Sequence, residues 1–135
     1  MERASVAELT RLLARTPFAR GFGFSLEAVG DGACTVRVAF RKRLERPGGI
    51  VAGPVLLAAA DLAMWLAILT KLGVDDASVT SHMTTAFVGA ARQEDFRCTA
   101  RVLKLGRRMI YGEARCVGRG GRLLAHHTIT YARRG

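Results

Sequence analysis

Cysteine is scarce in this sequence, and the few cysteines are not arranged as metal ligands or as a disulfide framework. Cys34, Cys98 and Cys116 are odd in number, lie far apart and form no CxxC pair. This spacing argues against a disulfide-stabilised scaffold and against a zinc site. We therefore interpret the cysteines as small apolar side chains in strands, and we expect neither a metal nor an organic cofactor.

Repeats, low-complexity tracts and linkers are also absent, so residues 1–135 are predicted to form one domain with its own core. The only long apolar run covers residues 54–70, and it has a carboxylate, Asp61, near its middle. An acid at the centre of a membrane span would cost about 3 kcal/mol, and the first residues lack the apolar segment of a signal peptide. We expect a cytoplasmic protein that does not enter a membrane.

Acidic residues are few, with 11 Asp and Glu against 21 Lys and Arg, which gives a net charge of +10. Such a charge can attract nucleic acid or a phosphate-bearing small molecule such as coenzyme A, or simply keep the protein in solution. The sequence has no RNP-like aromatic motif, zinc finger or helix-turn-helix, and its basic residues are spread among turns and termini. We therefore expect no nucleic-acid partner, while the charge alone does not decide between the other two explanations.

Hydrophobic periodicity predicts two helices. A short amphipathic helix is expected over Val6–Arg15, with a loop following at residues 21–23. A long helix is expected to have Gly53 as its N-cap and Pro54 in its first turn, and to end at Gly73. The long helix is apolar on most sides, which indicates that other elements enclose it.

Alternating hydrophobicity predicts six strands, which glycine-containing turns connect. The strands are expected at residues 24–29, 33–40, 78–88, 96–105, 109–118 and 123–131. We expect an α+β fold in which one curved antiparallel sheet wraps around the long helix and the last four strands form a meander. One helix cannot cover both faces of such a sheet, so pairing with a second copy through an edge or a face is expected.

Asp61 is the leading candidate for a functional residue. A carboxylate in the middle of a mostly buried helix is costly unless something pairs with it or uses it. The glycine-rich segment GGIVAGP at residues 48–54 lies just upstream. Together they suggest an acyl-transfer site with a base or nucleophile and a backbone amide for an oxyanion. The alternative is a structural acid held by backbone or hydroxyl donors.

Four segments carry a resemblance to a known family. They are GGIVAGPVLLAAADLAMW at 48–65, TSHMTTAFVGAA at 80–91, ARVLKLGRRMIYGEARC at 100–116 and GGRLLAHHTITY at 120–131. With these segments the chain resembles the hotdog-fold acyl-CoA thioesterases of the phenylacetic acid degradation protein (PaaI-like) group. The resemblance implies a hotdog fold and the hydrolysis of an acyl-CoA to a free acid and coenzyme A.

The chain departs from the family pattern at two places. The family has His-Gly-Gly at the start of the long helix and its catalytic Asp seven residues later, and these positions are Ala52, Gly53, Pro54 and Asp61 here. The family also often has a water-orienting Asn before the glycine-rich segment, where this chain has Glu45-Arg46-Pro47. These departures leave open a non-catalytic hotdog module that binds acyl-CoA or a similar apolar ligand.

The resemblance also implies roles for individual residues. Asp61 would act as nucleophile or general base, and the Gly53 N–H would donate to the thioester oxygen. A hydroxyl of Thr80 or Ser81 would contact the catalytic water or the carboxylate. Because Gly53 and Asp61 lie about 12 Å apart along one helix, one chain can hardly supply both groups. We therefore predict composite sites between antiparallel subunits of an obligate homodimer, and the sequence leaves open both the dimer alone and a homotetramer made of two dimers.

Other residues are expected to contact the substrate or to lie outside the site. The candidates for substrate contact are Gly49, Val51, Pro54 and Trp65, together with Arg107 and Arg108, because relatives bind coenzyme A phosphates with basic residues at this turn. His82 is predicted to face away from Ser81. His126 and His127 are interpreted as structural or surface residues. A hotdog dehydratase is disfavoured because no histidine is positioned opposite Asp61.

Overall fold

The computed structural model describes residues 3–134. Its N-terminal part consists of two consecutive helices. Helix α1 covers Val6–Arg15 as predicted, and the side chain of Ser5 forms a capping box with Glu8. A second helix, α2, covers Pro17–Phe22. The sequence predicted no helix here, and it predicted a loop at residues 21–23, the first two of which belong to α2. The prediction was wrong because six residues are too few to show a helical period, although Pro17 at the first helical position is a typical start.

The long central helix, α3, covers Gly53–Leu72. Its N-cap is Ala52, one residue before the predicted Gly53, and Gly73, with φ +90°, follows its last residue. By length and composition α3 could cross a membrane, but 72% of its most apolar stretch is buried within the fold. Enclosure by the sheet therefore accounts for its apolar composition.

Six strands form one antiparallel sheet against α3. They are β1 (Phe24–Gly30), β2 (Ala33–Val38), β5 (Val79–Phe87), β6 (Phe96–Leu105), β7 (Met109–Val117) and β8 (Leu123–Ala132), in the spatial order β1-β2-β6-β7-β8-β5. The predicted four-strand meander is therefore wrong for β5, because a meander would pair β5 with β6. Instead β5 pairs with β8 at the edge of the sheet, and β6 pairs with β2. The helix, about 30 Å long, carries the chain to the far edge of the sheet before β5 begins.

The segment between β2 and α3 folds into a small structure of its own. A 3-10 turn at Lys42–Leu44 leads into a hairpin of β3 (Glu45–Arg46) and β4 (Ile50–Val51). The turn between these strands needs glycine, because Gly48 and Gly49 both have positive φ values. The Ala52 N–H donates to the Leu44 carbonyl at 2.9 Å, which fixes the start of α3 against this turn.

The two edges of the sheet differ. Helices α1 and α2 pack against β1, where the rings of Phe18, Phe22 and Phe24 form a cluster. Among residues 3–134, no strand pairs with the outer edge of β5, and its Val79 and Phe87 are 44% and 52% exposed. The three cysteines lie in strands of the buried core and are free thiols, as the sequence analysis predicted.

Candidate active site

Asp61 is half-buried on α3, and two hydroxyl groups hold its carboxylate. The Thr80 hydroxyl donates to Asp61 Oδ1 at 2.7 Å, and the Tyr131 hydroxyl donates to the same atom at 2.8 Å. Tyr131 also lies 3.1 Å from the backbone carbonyl of Asp61. Because both donors converge on Oδ1, the orientation of the carboxylate is fixed.

The second carboxylate oxygen, Asp61 Oδ2, is free of hydrogen bonds to the described residues. It is also not one of the fully buried side-chain atoms that lack a partner. The carboxylate lines a cleft of about 500 Å³ between α3 and the edge strand β5. The other residues of this cleft are Leu57, Ala58, Met83, Thr85 and Phe87.

Asp61 also lines a second, smaller cavity of about 130 Å³. Its walls are Thr16, Phe18, Asp61, Leu62, Trp65 and Tyr131. Trp65, a predicted substrate contact, is therefore next to the carboxylate. Phe18 belongs to α2, so the helix that the sequence analysis missed forms part of the wall.

A β-bulge determines which hydroxyl of β5 meets the carboxylate. Thr80 pairs with Tyr131 across the β5–β8 ladder, His82 pairs with Thr130, and Ser81 is the extra residue between them. Thr80 therefore points at Asp61. Ser81 is exposed and makes no hydrogen bond to Asp61 within the described residues. Without this register, Thr80 and Ser81 are equal candidates from the sequence.

Tyr131 was missed by the sequence analysis. It is 3% exposed, and its burial, together with the nearby charge of Asp61, raises the pKa of its phenol far above the ordinary value. The phenol therefore stays protonated and acts as a donor. One signal could have revealed it, because alternation in β8 places Tyr131 on the same face as the buried Ile129.

The N-terminus of α3 offers a backbone donor. Gly53 is the first helical residue, and its N–H is one of the groups that have no acceptor inside the helix. The N-cap residue, Ala52, has no side-chain acceptor that could cap this end. A Cβ at Gly53 would meet the Phe87 ring at 3.5 Å, an ordinary contact, so alanine would fit at this position. Within one chain it lies about 12 Å along the helix from Asp61.

The remaining predicted substrate contacts lie in different environments. Gly49 is half-buried in the β3–β4 turn and Val51 is 5% exposed, whereas Pro54 is exposed. None of these three lines either cavity beside Asp61. Arg107 and Arg108 are exposed in the β6–β7 turn. The ladder places this turn at the end of the sheet that also holds Thr80 and Tyr131.

The histidines lie away from the carboxylate of Asp61. His82 contacts Thr84 at 3.0 Å, and His126 contacts Glu113 at 3.0 Å. His127 is completely buried, with contacts to Thr85 and Cys116. No group of three or more His, Cys, Asp or Glu side chains within residues 3–134 is arranged to hold a metal ion.

Comparison with known proteins gives consistent matches. The model of a family described as "Thioesterase superfamily" matches residues 48–131. The crystal structure of a "putative thioesterase" from Silicibacter sp. TM1040 is similar, with a TM-score of 0.88 and 31% identity over 100% of this chain and 96% of that one. "Putative esterase SSO1253" of Saccharolobus solfataricus is 29% identical over 106 residues, which are 78% of this chain and 70% of that protein.

One solved structure is of interest for its ligand. It is a "hypothetical thioesterase protein with coenzyme A" from Streptococcus pneumoniae TIGR4. The TM-score is 0.74 and the identity 17%, over 83% of this chain and 86% of that one. At this identity the likeness shows the fold alone.

Proposed function

The chain belongs to the thioesterase superfamily, and from this we propose that it hydrolyses acyl-CoA thioesters to a free acid and coenzyme A. The observation that carries the proposal is the state of the Asp61 carboxylate. Its Oδ1 is held by Thr80 and Tyr131, its Oδ2 has no partner among the described residues, and Asp61 lines a cleft. A carboxylate that is fixed in orientation and still accessible suits a nucleophile or a general base.

In the proposed reaction, Asp61 acts on the carbonyl carbon of the thioester. Oδ2 either attacks this carbon directly or removes a proton from a water molecule that attacks it. After direct attack, the C–S bond breaks to release the coenzyme A thiolate and a mixed anhydride on Asp61, which a water molecule hydrolyses to the free acid and the regenerated carboxylate, its released proton balancing the thiolate. In the general-base route, the C–S bond breaks after water has added, and the proton that Asp61 took from the water passes to the thiolate. Tyr131 and Thr80 position the carboxylate throughout, because each donates its hydroxyl hydrogen to Oδ1.

A second subunit would supply the oxyanion donor. The carbonyl oxygen gains negative charge during the reaction, and an N–H at a helix N-terminus stabilises such charge. We assign this role to Gly53 of the partner subunit, which would face Asp61 in an antiparallel homodimer. The free edge of β5, with its exposed Val79 and Phe87, borders the cleft and is where a second copy would complete it.

The coenzyme A part of the substrate is proposed from the charge and position of one turn. Arg107 and Arg108 are exposed at the end of the sheet that holds Asp61, and guanidinium groups bind phosphates through paired hydrogen bonds.

A non-catalytic role in binding acyl-CoA is the second candidate. It is favoured by Ala52, which stands where the family has a histidine, and by the absence of the family's asparagine near Glu45. Tight binding of an acyl-CoA without release of a thiol would identify this function.

The test is thiol release from a panel of aryl, short, medium and long acyl-CoA substrates. Asp61→Asn keeps the shape of the side chain, and we expect it to lower kcat/KM by at least about 100-fold. Asp75→Asn, at an exposed acid after α3, is the matched control and should leave kcat/KM unchanged. Retention of wild-type kcat/KM by Asp61→Asn, or an inactive wild type, would refute the proposed function.

A further inference from the structure

A chain of hydrogen bonds connects the buried face of the sheet with the cleft beside Asp61. His127 is completely buried, its Nδ1 lies 2.7 Å from Thr85 Oγ1, and its Nε2 lies 3.4 Å from Cys116 Sγ. Thr85 lines the cleft, and among the described residues that do so it is the only one besides Asp61 whose side chain has an oxygen or nitrogen atom. Neither Thr85 nor His127 has a role in the proposed reaction.

The contacts of Cys116 determine which nitrogen of His127 carries a proton. Cys116 Sγ lies 3.6 Å from the Leu56 carbonyl, to which its thiol can donate. The sulfur then accepts the Nε2–H of His127. With the thiol hydrogen directed at the Leu56 carbonyl, the proton of His127 is on Nε2.

The remaining nitrogen, Nδ1, is an acceptor. A neutral imidazole has one N–H and one lone pair. A charged imidazolium would be buried without a carboxylate in contact among the described residues, which is costly. Thr85 must therefore donate its single hydroxyl hydrogen to Nδ1. Its oxygen has only lone pairs left for the cleft.

We propose that Thr85 determines substrate specificity by accepting a hydrogen bond from an N–H or O–H donor of the bound thioester, an inference that rests on the proposed function. The other walls of the cleft, from Leu57 to Phe87, are apolar, so an unpaired donor would lose its hydration there. Thr85 and Thr80 pair with residues four apart on β8, which separates them by about 13 Å. Thr85 is thus too far from Asp61 in the same chain to share its water.

Two parts of an acyl-CoA could supply the donor, and binding measurements distinguish them. The probes are thioether analogues of acyl-CoA, which cannot be hydrolysed, with a plain acyl group and with a hydroxylated acyl group of equal length. Calorimetry would give the Kd of each for the wild type, Thr85→Val and Thr85→Ser. Thr84→Val is the control, because Thr84 is exposed and contacts His82.

We expect Thr85→Val to weaken binding by about threefold to tenfold, the value of one hydrogen bond, and Thr85→Ser to bind like the wild type. A loss confined to the hydroxylated analogue places the donor on the acyl group, and an equal loss for both places it on the pantetheine amides. Thr85→Val leaves Nδ1 unpaired and lowers Tm, but a lower Tm without weaker binding refutes the proposal. So does a wild type that binds neither analogue. A wild type that binds but does not hydrolyse refutes the proposed function alone.

Discussion

The hydroxyl of Tyr131 lies 2.8 Å from Asp61 Oδ1, although 70 residues separate the two in the sequence. The same hydroxyl lies 3.1 Å from the backbone carbonyl of Asp61. The last strand of the sheet therefore positions the acid in two ways, through its side chain and through the helix backbone.

We predict that Tyr131→Phe lowers kcat/KM by about tenfold, since one neutral donor to the carboxylate is lost while the acid remains. This loss should be smaller than that of Asp61→Asn. Steady-state kinetics at constant pH would measure it. Tyr111→Phe, at a 42% exposed tyrosine of β7, is the control. Equal activity of Tyr131→Phe and the wild type would show that Thr80 alone is sufficient to orient Asp61.

We predict different outcomes for the neighbouring hydroxyl residues of β5. Thr80→Val removes a donor at 2.7 Å from Oδ1 and should lower kcat/KM by about fivefold to tenfold. Ser81→Ala should have no effect, because the bulge turns Ser81 away from the carboxylate. Kinetics of both variants, with Thr80→Ser as the conservative variant that restores activity, check this. The reverse order of effects would contradict the geometry.

The composite site can be tested by mixing two inactive variants. Asp61→Asn removes the acid, and Gly53→Pro removes the proposed amide donor at a helical position that tolerates proline. In mixed dimers one of the two sites regains both groups, so an equimolar mixture should recover about a quarter of wild-type activity. Gly53→Ala keeps the N–H and has room beside Phe87, so it serves as the active control.

Native mass spectrometry would establish that subunits have exchanged. If mixed dimers form and remain inactive, the acid and the amide do not come from different subunits. A monomeric protein with full activity would also contradict the composite site.

Glu94 should make the stability of the fold dependent on acidic pH. Its carboxylate accepts the Arg119 N–H at 2.7 Å and the Arg92 N–H at 3.1 Å, and it pairs with Arg122. The hydrogen bond from Arg119, followed by that from Arg92 and the charge of Arg122, lowers the pKa of Glu94 below its ordinary value of 4.5. Because the folded pKa is the lower one, this stabilisation is present above about pH 4.5 and is lost as the pH falls through the folded pKa.

Urea unfolding of the wild type and Glu94→Gln over pH 3–7 would measure this effect. We expect the wild type to be more stable at pH 7 and the difference to shrink below pH 4.5. Asp75→Asn, at an exposed position, should follow the wild type throughout. A difference that is constant with pH would show that the ionisation of Glu94 makes no contribution.

Much of the fold was predictable because the period of hydrophobicity changes between helix and strand. The structure confirms α1, the long helix and all six strands to within two residues, since each is long enough to show its period. The edge position of β5 was not predictable. A strand that follows α3 could pair with any of several strands of the sheet, and local sequence does not determine which strand is its partner.

The candidate site was predictable only where local sequence defines it. Asp61 stands out because a charge interrupts an apolar helix. Tyr131 and the choice of Thr80 over Ser81 depend on the register between β5 and β8, which a one-residue bulge changes. Such a bulge has no sequence signature in this strand, so pairing information was required.

The burial of the three cysteines has a practical consequence for every assay of thiol release. Cys34 is 1% exposed, and Cys98 and Cys116 are fully enclosed. A chromogenic thiol reagent should therefore report the liberated product and leave the folded protein unlabelled. The same reagent also detects unfolded protein. A thiol signal without substrate that rises with protein concentration would show that some molecules have exposed their cysteines.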